Sequence, residues 1–312
     1  MKNLSTVRII FKDEGYGLTR DAQIIKTALC EIGFSTEIID TLKDSVSKTK
    51  PSINLFLEAI ESKWLNSAQT NILIPNPEWL RPSTKELLPY IDYVLCKTKH
   101  AEHIFQKLGC ETFFTGFTGL SRFVPDIGKS FRSFLHLCGK SINKGTQNIL
   151  SCWGARLDWP SLYLVMQNKN IDILFQNNLH FMTGYFSDKD IQRLQNSCGI
   201  HLCPSEAEGY GHTIIEGMSV GAVTITTDAP PMNEIIQPDR GFLVRTCGSS
   251  NIFAGTRWEI DKESLASTID YILNMSEENL LAIGSAARDW FIENDILFRK
   301  RFSCFMLNLR KF

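Results

Sequence analysis

The sequence predicts an α/β protein made of two parallel-sheet domains. Three observations carry this. Short apolar runs alternate with amphipathic helical stretches; the alternation lapses once near the middle and restarts; and 312 residues suit two domains of about 150 residues each. Apolar runs bounded by polar residues or turn formers read as strands buried in a sheet, and helices between them imply parallel pairing through crossovers.

In the first half, Val7–Phe11 reads as a buried strand, followed by a turn at Gly15 and Gly17. Thr19 or Asp21 is placed to cap a helix reaching about Ile32, with apolar positions at Ile24, Ile25, Ala28, Leu29 and Ile32. Gly33 stops that helix, and Ser35–Ile39, Ile53–Leu57, Asn71–Ile74 and Tyr93–Cys96 read as further strands. A helix through Ala101–Leu108 ends at Gly109, and Phe113–Leu120 runs from a strand into a Gly- and Thr-containing loop near the hinge.

The pattern weakens at Phe123–Ser130, a stretch with Pro and Gly that is assigned as the linker. Strands are expected at Ser133–Leu137, Ser161–Met166, Ile200–Cys203 and Val223–Thr226, and helices at Thr146–Cys152, Asp188–Asn196 and Thr213–Val220. The last 25 or so residues read as an amphipathic helix. Each half thus holds its own βαβ array, so two Rossmann-like domains facing a cleft are expected.

Composition narrows the classes. Lys plus Arg is 33 and Asp plus Glu 34, a net charge of −1, which calls for no polyanionic partner and mildly disfavours DNA, although a total of this kind leaves room for a local basic face. No apolar run approaches the roughly 18 residues of a membrane span, and the N-terminus lacks a leader pattern. The nine cysteines show neither Cys-x-x-Cys nor zinc-ligand spacing. A cytoplasmic protein with reduced thiols is expected.

The most informative stretch is Cys203–Glu234, CPSEAEGYGHTIIEGMSVGAVTITTDAPPMNE. A strand ends at Cys203-Pro204, a polar loop follows, and Gly209 and Gly211 open a helix. Backbone N–H groups at a helix N-terminus form an anion site. Glu208 precedes the turn and Glu216 lies two turns into the helix. Carboxylates beside a phosphate cradle are suited to accept hydrogen bonds from hydroxyls on either side, which a nucleotide sugar offers.

Glu208-Gly-Tyr-Gly-His-Thr-Ile-Ile-Glu216 resembles the E-x7-E motif of retaining glycosyltransferases of the GT-B fold, especially glycosyltransferase family 4. The match extends to Pro204-Ser205, to Gly217–Gly221 and to Ala229–Glu234. The resemblance implies that Glu208 binds hydroxyls of the transferred sugar and Glu216 the ribose diol. It also implies that the N–H groups of Tyr210 and Gly211 hold the distal phosphate or the sugar, and it puts Ser205 and Gly209 among the residues that bind the nucleotide sugar. His212 fills a variable position and is given no role.

Phe134–Thr146 supplies a second piece: a strand ends in Gly139, then come Lys140 and Lys144-Gly145. Two cations at the C-terminal end of a strand suit a diphosphate leaving group. In the family this place reads Gly-Arg and then Lys-Gly, so Lys140 stands for an arginine and the spacing is one residue shorter. Lysine offers a point charge rather than a fork. Phe181–Ser187 resembles the loop whose backbone contacts the base, with Tyr185 or Phe186 placed either to pack on it or in the core.

The first half is less specific. Gly15-Tyr16-Gly17 resembles the glycine loop after the first strand, near donor phosphates and acceptor. Asn76, Glu78 and Trp79, in a strand exit with two prolines, read either as acceptor contacts or as a structural turn. Lys97–His100 follows the next strand and reads either as facing the cleft or as a helix start with Thr98 as N-cap. His136 lies within a strand and reads as a satisfied histidine rather than a base.

The resemblance implies an acceptor-side domain over 1–125, joined by a returning helix at about 290–312, and a nucleotide-sugar domain over 131–289. It implies metal-independent, retaining transfer from a nucleoside diphosphate sugar, UDP- or GDP-linked first among them, to a hydroxyl acceptor. No further cofactor is expected. Asp188-Lys-Asp190 has metal-motif spacing but sits at a helix start, where acids favour the macrodipole. Rival readings are a phosphorylase or epimerase on the same fold, a non-catalytic nucleotide-sugar module, and a Rossmann oxidoreductase. The last would need a fuller glycine fingerprint.

Overall fold

Strands buried on both faces dominate the chain, as a parallel sheet covered by helices requires. The computed structural model describes residues 6–12, 15–44, 51–139, 141–166, 176–184 and 186–309, and the strand counts given are of these. The chain divides into two units. The first comprises Met1–Gly119, Asn251–Thr256 and Asn294–Phe312; the second comprises Leu120–Ser250 and Arg257–Glu293.

The first unit carries β1 (Thr6–Phe11), α1 (Tyr16–Glu31), β2 (Ser35–Asp40), β3 (Ile53–Leu57), β4 (Thr70–Ile74), the short α2 (Pro82–Lys85), β5 (Tyr93–Cys96), α3 (Lys99–Lys107) and β6 (Thr112–Phe114). Its strands form one parallel sheet in the order β2-β1-β3-β4-β5-β6. In register, Ile9 stands beside Ile38 and Leu55. Ile10, Phe56, Leu73 and Val94 from successive strands meet Trp64 and Phe105 in the core.

The second unit carries β7 (Ser130–Gly139), α4 (Thr146–Gly154), β8 (Ser161–Met166), β9 (Leu179–Thr183), α5 (Asp188–Ser197), β10 (Cys198–Cys203), α6 (His212–Ser219), β11 (Val223–Thr227), the short α7 (Met232–Ile235) and β12 (Phe242–Val244). Its parallel sheet runs β12-β11-β10-β7-β8-β9. A two-stranded ribbon, β13 (Thr246–Ile252) and β14 (Gly255–Ile260), and α8 (Lys262–Leu273) follow. Phe134, Trp153, Leu164, Ile200, Ile225 and Ile269 share the core of this unit.

The last helix, α9, spans Glu277–Leu309 and begins well before the residue 290 expected from sequence. Leu280 joins the core of the second unit. In the first unit, Phe298 meets Phe117, and Phe305 meets Tyr93 and Phe113, with ring centroids 5.1–5.3 Å apart.

Several local expectations are corrected. Neither Thr19 nor Asp21 caps α1, which begins at Tyr16 behind Gly15, so both lie inside the helix. The linker expected at Phe123–Ser130 follows the division between units, which falls at Gly119/Leu120. Arg122 and Val124 already hydrogen-bond to Ser219 and Asn196 of the second unit, which polar loop composition does not reveal. Leu179–Thr183 forms β9, where the sequence reading had a loop from Phe181. Its alternation is weak because β9 is an edge strand.

Among the described residues no helix is long and apolar enough to cross a membrane. All nine cysteines are free thiols.

Candidate functional site

In an open parallel sheet, ligands bind at the carboxyl ends of strands where the strand order reverses. In the second unit that point lies between β7 and β10: the chain proceeds from β7 to β8 and β9 on one side, and from β10 to β11 and β12 on the other. The loops leaving β7 and β10 carry Lys144 and Ser205–Gly211, the residues singled out by sequence.

These two loops are joined by backbone. The Glu206 N–H donates to the Asn143 carbonyl at 2.8 Å. Gly145, in the left-handed region with φ 68°, caps α4, and a Cβ there would lie 2.1 Å from the Pro204 carbonyl oxygen. Only glycine permits that approach.

Lys144 Nζ forms an ion pair with Glu208 Oε1. The same oxygen accepts from Ser205 Oγ at 2.6 Å. Ser205 is fully buried, and its carbonyl accepts from Thr227 Oγ1 at 2.6 Å. Lysine from one loop and carboxylate from the other are thus fixed on each other at the switch point.

Gly211, with φ 103°, is the N-cap residue of α6. A Cβ there would come within 2.9 Å of Ile214 Cδ1, inside the first turn. Tyr210 is buried and packs edge-on against His212, with centroids 6.1 Å apart. Glu216 is 4% exposed and accepts from Gln195 Nε2 at 2.7 Å. The turn Gly209-Tyr210-Gly211 therefore stands between two carboxylates, each with an assigned donor: a lysine for Glu208, an amide for Glu216.

Comparison with known proteins gives one family match and several structural neighbours. Residues 167–290 match the family model described as glycosyl transferases group 1, a stretch that includes Ser205–Glu216. Curated protein sequences give no significant match. The chain is similar in structure to a glycosyltransferase from Rickettsia africae ESF-5, with TM-score 0.75, 16% identity and 99% of both chains covered. It is similar to sucrose-phosphate synthase from Thermosynechococcus elongatus, with TM-score 0.71, 13% identity and 98% of both chains covered. It is also similar to Anabaena HepE, solved in complex with UDP and glucose, with TM-score 0.69, 14% identity, and 97% of this chain and 100% of that one covered.

The fold is that of the GT-B glycosyltransferases.

The domain match and the GT-B fold together support a glycosyltransferase. Other groups at the GT-B switch point take structural parts. His136 is fully buried; its Nδ1 donates to the Leu202 carbonyl at 2.7 Å and its Nε2 accepts from Thr146 Oγ1 at 2.9 Å. Burial pushes its pKa down to about 4, so it is a neutral strut between β7, β10 and α4. Burial also pushes the Cys203 thiol up to about 12, which keeps it protonated.

Asp190 forms a capping box with Ser187, and Asp188 pairs with Arg122 Nη1 at 2.7 Å, so both serve the start of α5. Among the described residues no group of three His, Cys, Asp or Glu is arranged to hold a metal. Lys140 and Tyr185, both singled out by sequence, lie outside the described residues.

In the first unit, the switch point lies between β1 and β3. Gly15 and Gly17 are exposed at the start of α1, after β1. Asn76 follows β4; its Nδ2 donates to Glu58 Oε2 at 2.7 Å, and its Oδ1 accepts from Lys97 Nζ at 2.9 Å. Lys97 also pairs with Asp21, both side chains 3% exposed. Burial raises the Glu58 pKa, against the hydrogen bond from Asn76. Glu78 is buried, whereas Trp79 is 42% exposed.

Sequence reading missed Gln195, Arg122 and Asn143. One signal was present for Gln195: it falls on the apolar side of α5, next to Leu194 and one turn from Ile191, where a buried polar residue needs a partner.

Proposed function

We propose that this protein transfers a sugar from a nucleoside diphosphate sugar to a hydroxyl acceptor, with retention at the anomeric carbon and without a metal. The observation that carries the proposal is the meeting of Lys144 and Glu208 at the sheet's switch point, directly before the N-terminus of α6. A cation, a helix N-terminus and two carboxylates in one loop cluster match the parts of a nucleotide sugar: diphosphate, sugar hydroxyls and ribose diol.

In this reading Glu208 accepts from hydroxyls of the transferred sugar, and Glu216 accepts from the ribose. Lys144, Lys140 and the N–H groups of Tyr210 and Gly211 take up charge on the diphosphate as the glycosidic bond breaks. Stabilising that leaving group is the main catalytic contribution. The positive end of α6 and the lysines supply the charge a metal would otherwise bring. Ser205 orients Glu208, the loop that carries Tyr185 and Phe186 serves the base, and Gly15 and Gly17 serve the donor phosphates and the acceptor. UDP is the first nucleotide to test, since the neighbour HepE was solved with UDP and glucose. The acceptor is taken by strand-end loops of the first unit, including Asn76, Glu78 and Trp79.

The test is thermal protection and turnover with a panel of UDP-, GDP- and ADP-sugars, with and without EDTA, followed by assignment of the product anomer by NMR. Protection by one nucleotide sugar and an unchanged anomer are expected. No protection by any donor, an inverted product, or loss of turnover in EDTA restored by magnesium would each overturn the corresponding part.

A further inference from the structure

We propose that Gln195 is a positioning residue for nucleotide binding: it holds Glu216 in a fixed orientation, and Arg122 decides which way its amide points. The inference rests on the reading of Glu216 as the ribose-binding carboxylate.

An amide side chain has a donating end and an accepting end, and a guanidinium has only donors. Arg122 Nε donates to Gln195 Oε1 at 2.8 Å. The amide nitrogen must then face the other way, and it donates to Glu216 Oε2 at 2.7 Å. A flipped amide would set oxygen against the carboxylate and nitrogen against the guanidinium, losing both bonds. Gln195 is fully buried and Arg122 is 3% exposed, so water cannot substitute.

Arg122 is itself fixed from two helices. On α5, Asp188 accepts at 2.7 Å from Nη1 through its carboxylate and at 2.9 Å from Nη2 through its carbonyl. The Arg122 carbonyl accepts from Gln192 Nε2 at 3.1 Å and from Asn196 Nδ2 at 2.8 Å. On α6, the Arg122 N–H donates to Ser219 Oγ at 3.1 Å, and that hydroxyl donates to the Glu216 carbonyl at 2.8 Å. Side chain and backbone of Glu216 are thus both tied to Arg122, each through one intermediate residue.

The choice of an amide has a chemical consequence. A lysine or arginine against Glu216 would neutralise it and compete with a diol for its oxygens. An amide fixes the rotamer without adding a positive charge of its own, so ligand hydroxyls meet an oriented acceptor. Pre-orientation raises affinity by removing ordering cost at binding.

The experiment titrates UDP, GDP and ADP by calorimetry into the wild type, Gln195→Leu and Gln195→Glu between pH 5 and 8.5, with thermal melts of each. For whichever nucleotide binds wild type, Gln195→Leu is expected to weaken binding about tenfold, the loss of one hydrogen bond to a charged group. Gln195→Glu places two carboxylates together. Its binding is expected to be poor at pH 8.5 and to tighten as pH falls and one proton is shared between them, a slope the wild type lacks. A merely structural Gln195 would lower the melting temperature in both variants and leave the pH profile of binding unchanged. If Gln195→Leu does not fold, the slope in Gln195→Glu decides. Wild-type affinity and profile in either folded variant overturn the proposal alone. If the wild type binds none of the three nucleotides, the reading of Glu216 falls and this inference with it.

Discussion

Gly145 approaches Pro204 so closely that a methyl group on it would stand 2.1 Å from the Pro204 carbonyl oxygen. The loops after β7 and β10 are therefore packed backbone to backbone, and Lys144 is held where it meets Glu208. Gly145→Ala adds that clash to the cost of a left-handed residue, about 1–2 kcal/mol. The expected outcome is a fall in unfolding free energy of at least that size, with weaker nucleoside diphosphate binding because Lys144 shifts. Urea denaturation and calorimetry measure both; wild-type values would show that the loops part easily.

Lys144 and Glu208 are expected to separate binding from turnover. Lys144→Ala removes a charge from the diphosphate site and should weaken nucleoside diphosphate binding by roughly 1.5–3 kcal/mol. Glu208→Gln keeps the shape and leaves Lys144 in place, so it should spare that affinity and lower turnover with the full donor. Equal loss of diphosphate affinity in both variants would place Glu208 in the phosphate site instead.

Glu216→Ala is expected to weaken free nucleoside diphosphate by a similar 1.5–3 kcal/mol, the loss of hydrogen bonds to a charged acceptor. The deoxyribose analogue should lose little further affinity in this variant. A full additional loss with 2′-deoxy-UDP, should UDP be the ligand, would mean that the ribose is read elsewhere.

Trp79 and Glu78 adjoin in sequence but differ in burial, 42% against 6% exposed. Trp79→Ala is expected to leave stability within about 0.5 kcal/mol, as for most surface changes, and to impair transfer to acceptor more than donor binding. Glu78→Ala alters a buried side chain and should lower the melting temperature as well. Donor affinity falling as steeply as transfer in Trp79→Ala would remove this loop from acceptor recognition.

His136 predicts a pH dependence of stability. Its pKa is pushed down by burial to about 4 from an ordinary 6.5, so between those values the unfolded chain binds a proton that the folded chain does not. Its contribution is complete above about pH 6.5 and is lost toward pH 4, by up to about 1.4 kcal/mol per pH unit. His201, pushed by burial to about 3, adds the same sign. Unfolding free energy measured from pH 7.5 to 4.5 should fall more gently in His136→Asn than in wild type; parallel curves would refute this assignment.

Much of the fold was legible because its signals are local. The runs at Val7–Phe11, Ile53–Leu57 and Ile200–Cys203 are strands as read, since a strand buried on both faces must be apolar over consecutive residues. Thr98 does cap α3, accepting from the Ala101 N–H at 3.0 Å. Less regular elements escaped: β12, the ribbon β13–β14 and α8 carry mixed composition, and their burial depends on neighbours distant in sequence.

By itself the sequence determined which groups are present and in what order: Lys144-Gly145 after one strand, then Ser205, Glu208, Gly211 and Glu216 after another, each within one loop or helix turn where spacing is a physical constraint. Only the tertiary structure decided which of them touch. Strands β7 and β10 are separated by β8, β9 and two helices along the chain, yet lie side by side in the sheet, and that adjacency brings Lys144 onto Glu208 across 64 residues. Likewise, Arg122 reaches Gln195 across 73 residues because α5 and α6 pack on the segment that carries it. Hydrogen-bond partners follow from sheet order and helix packing, which are properties of the whole folded unit and leave little trace in any one stretch of sequence.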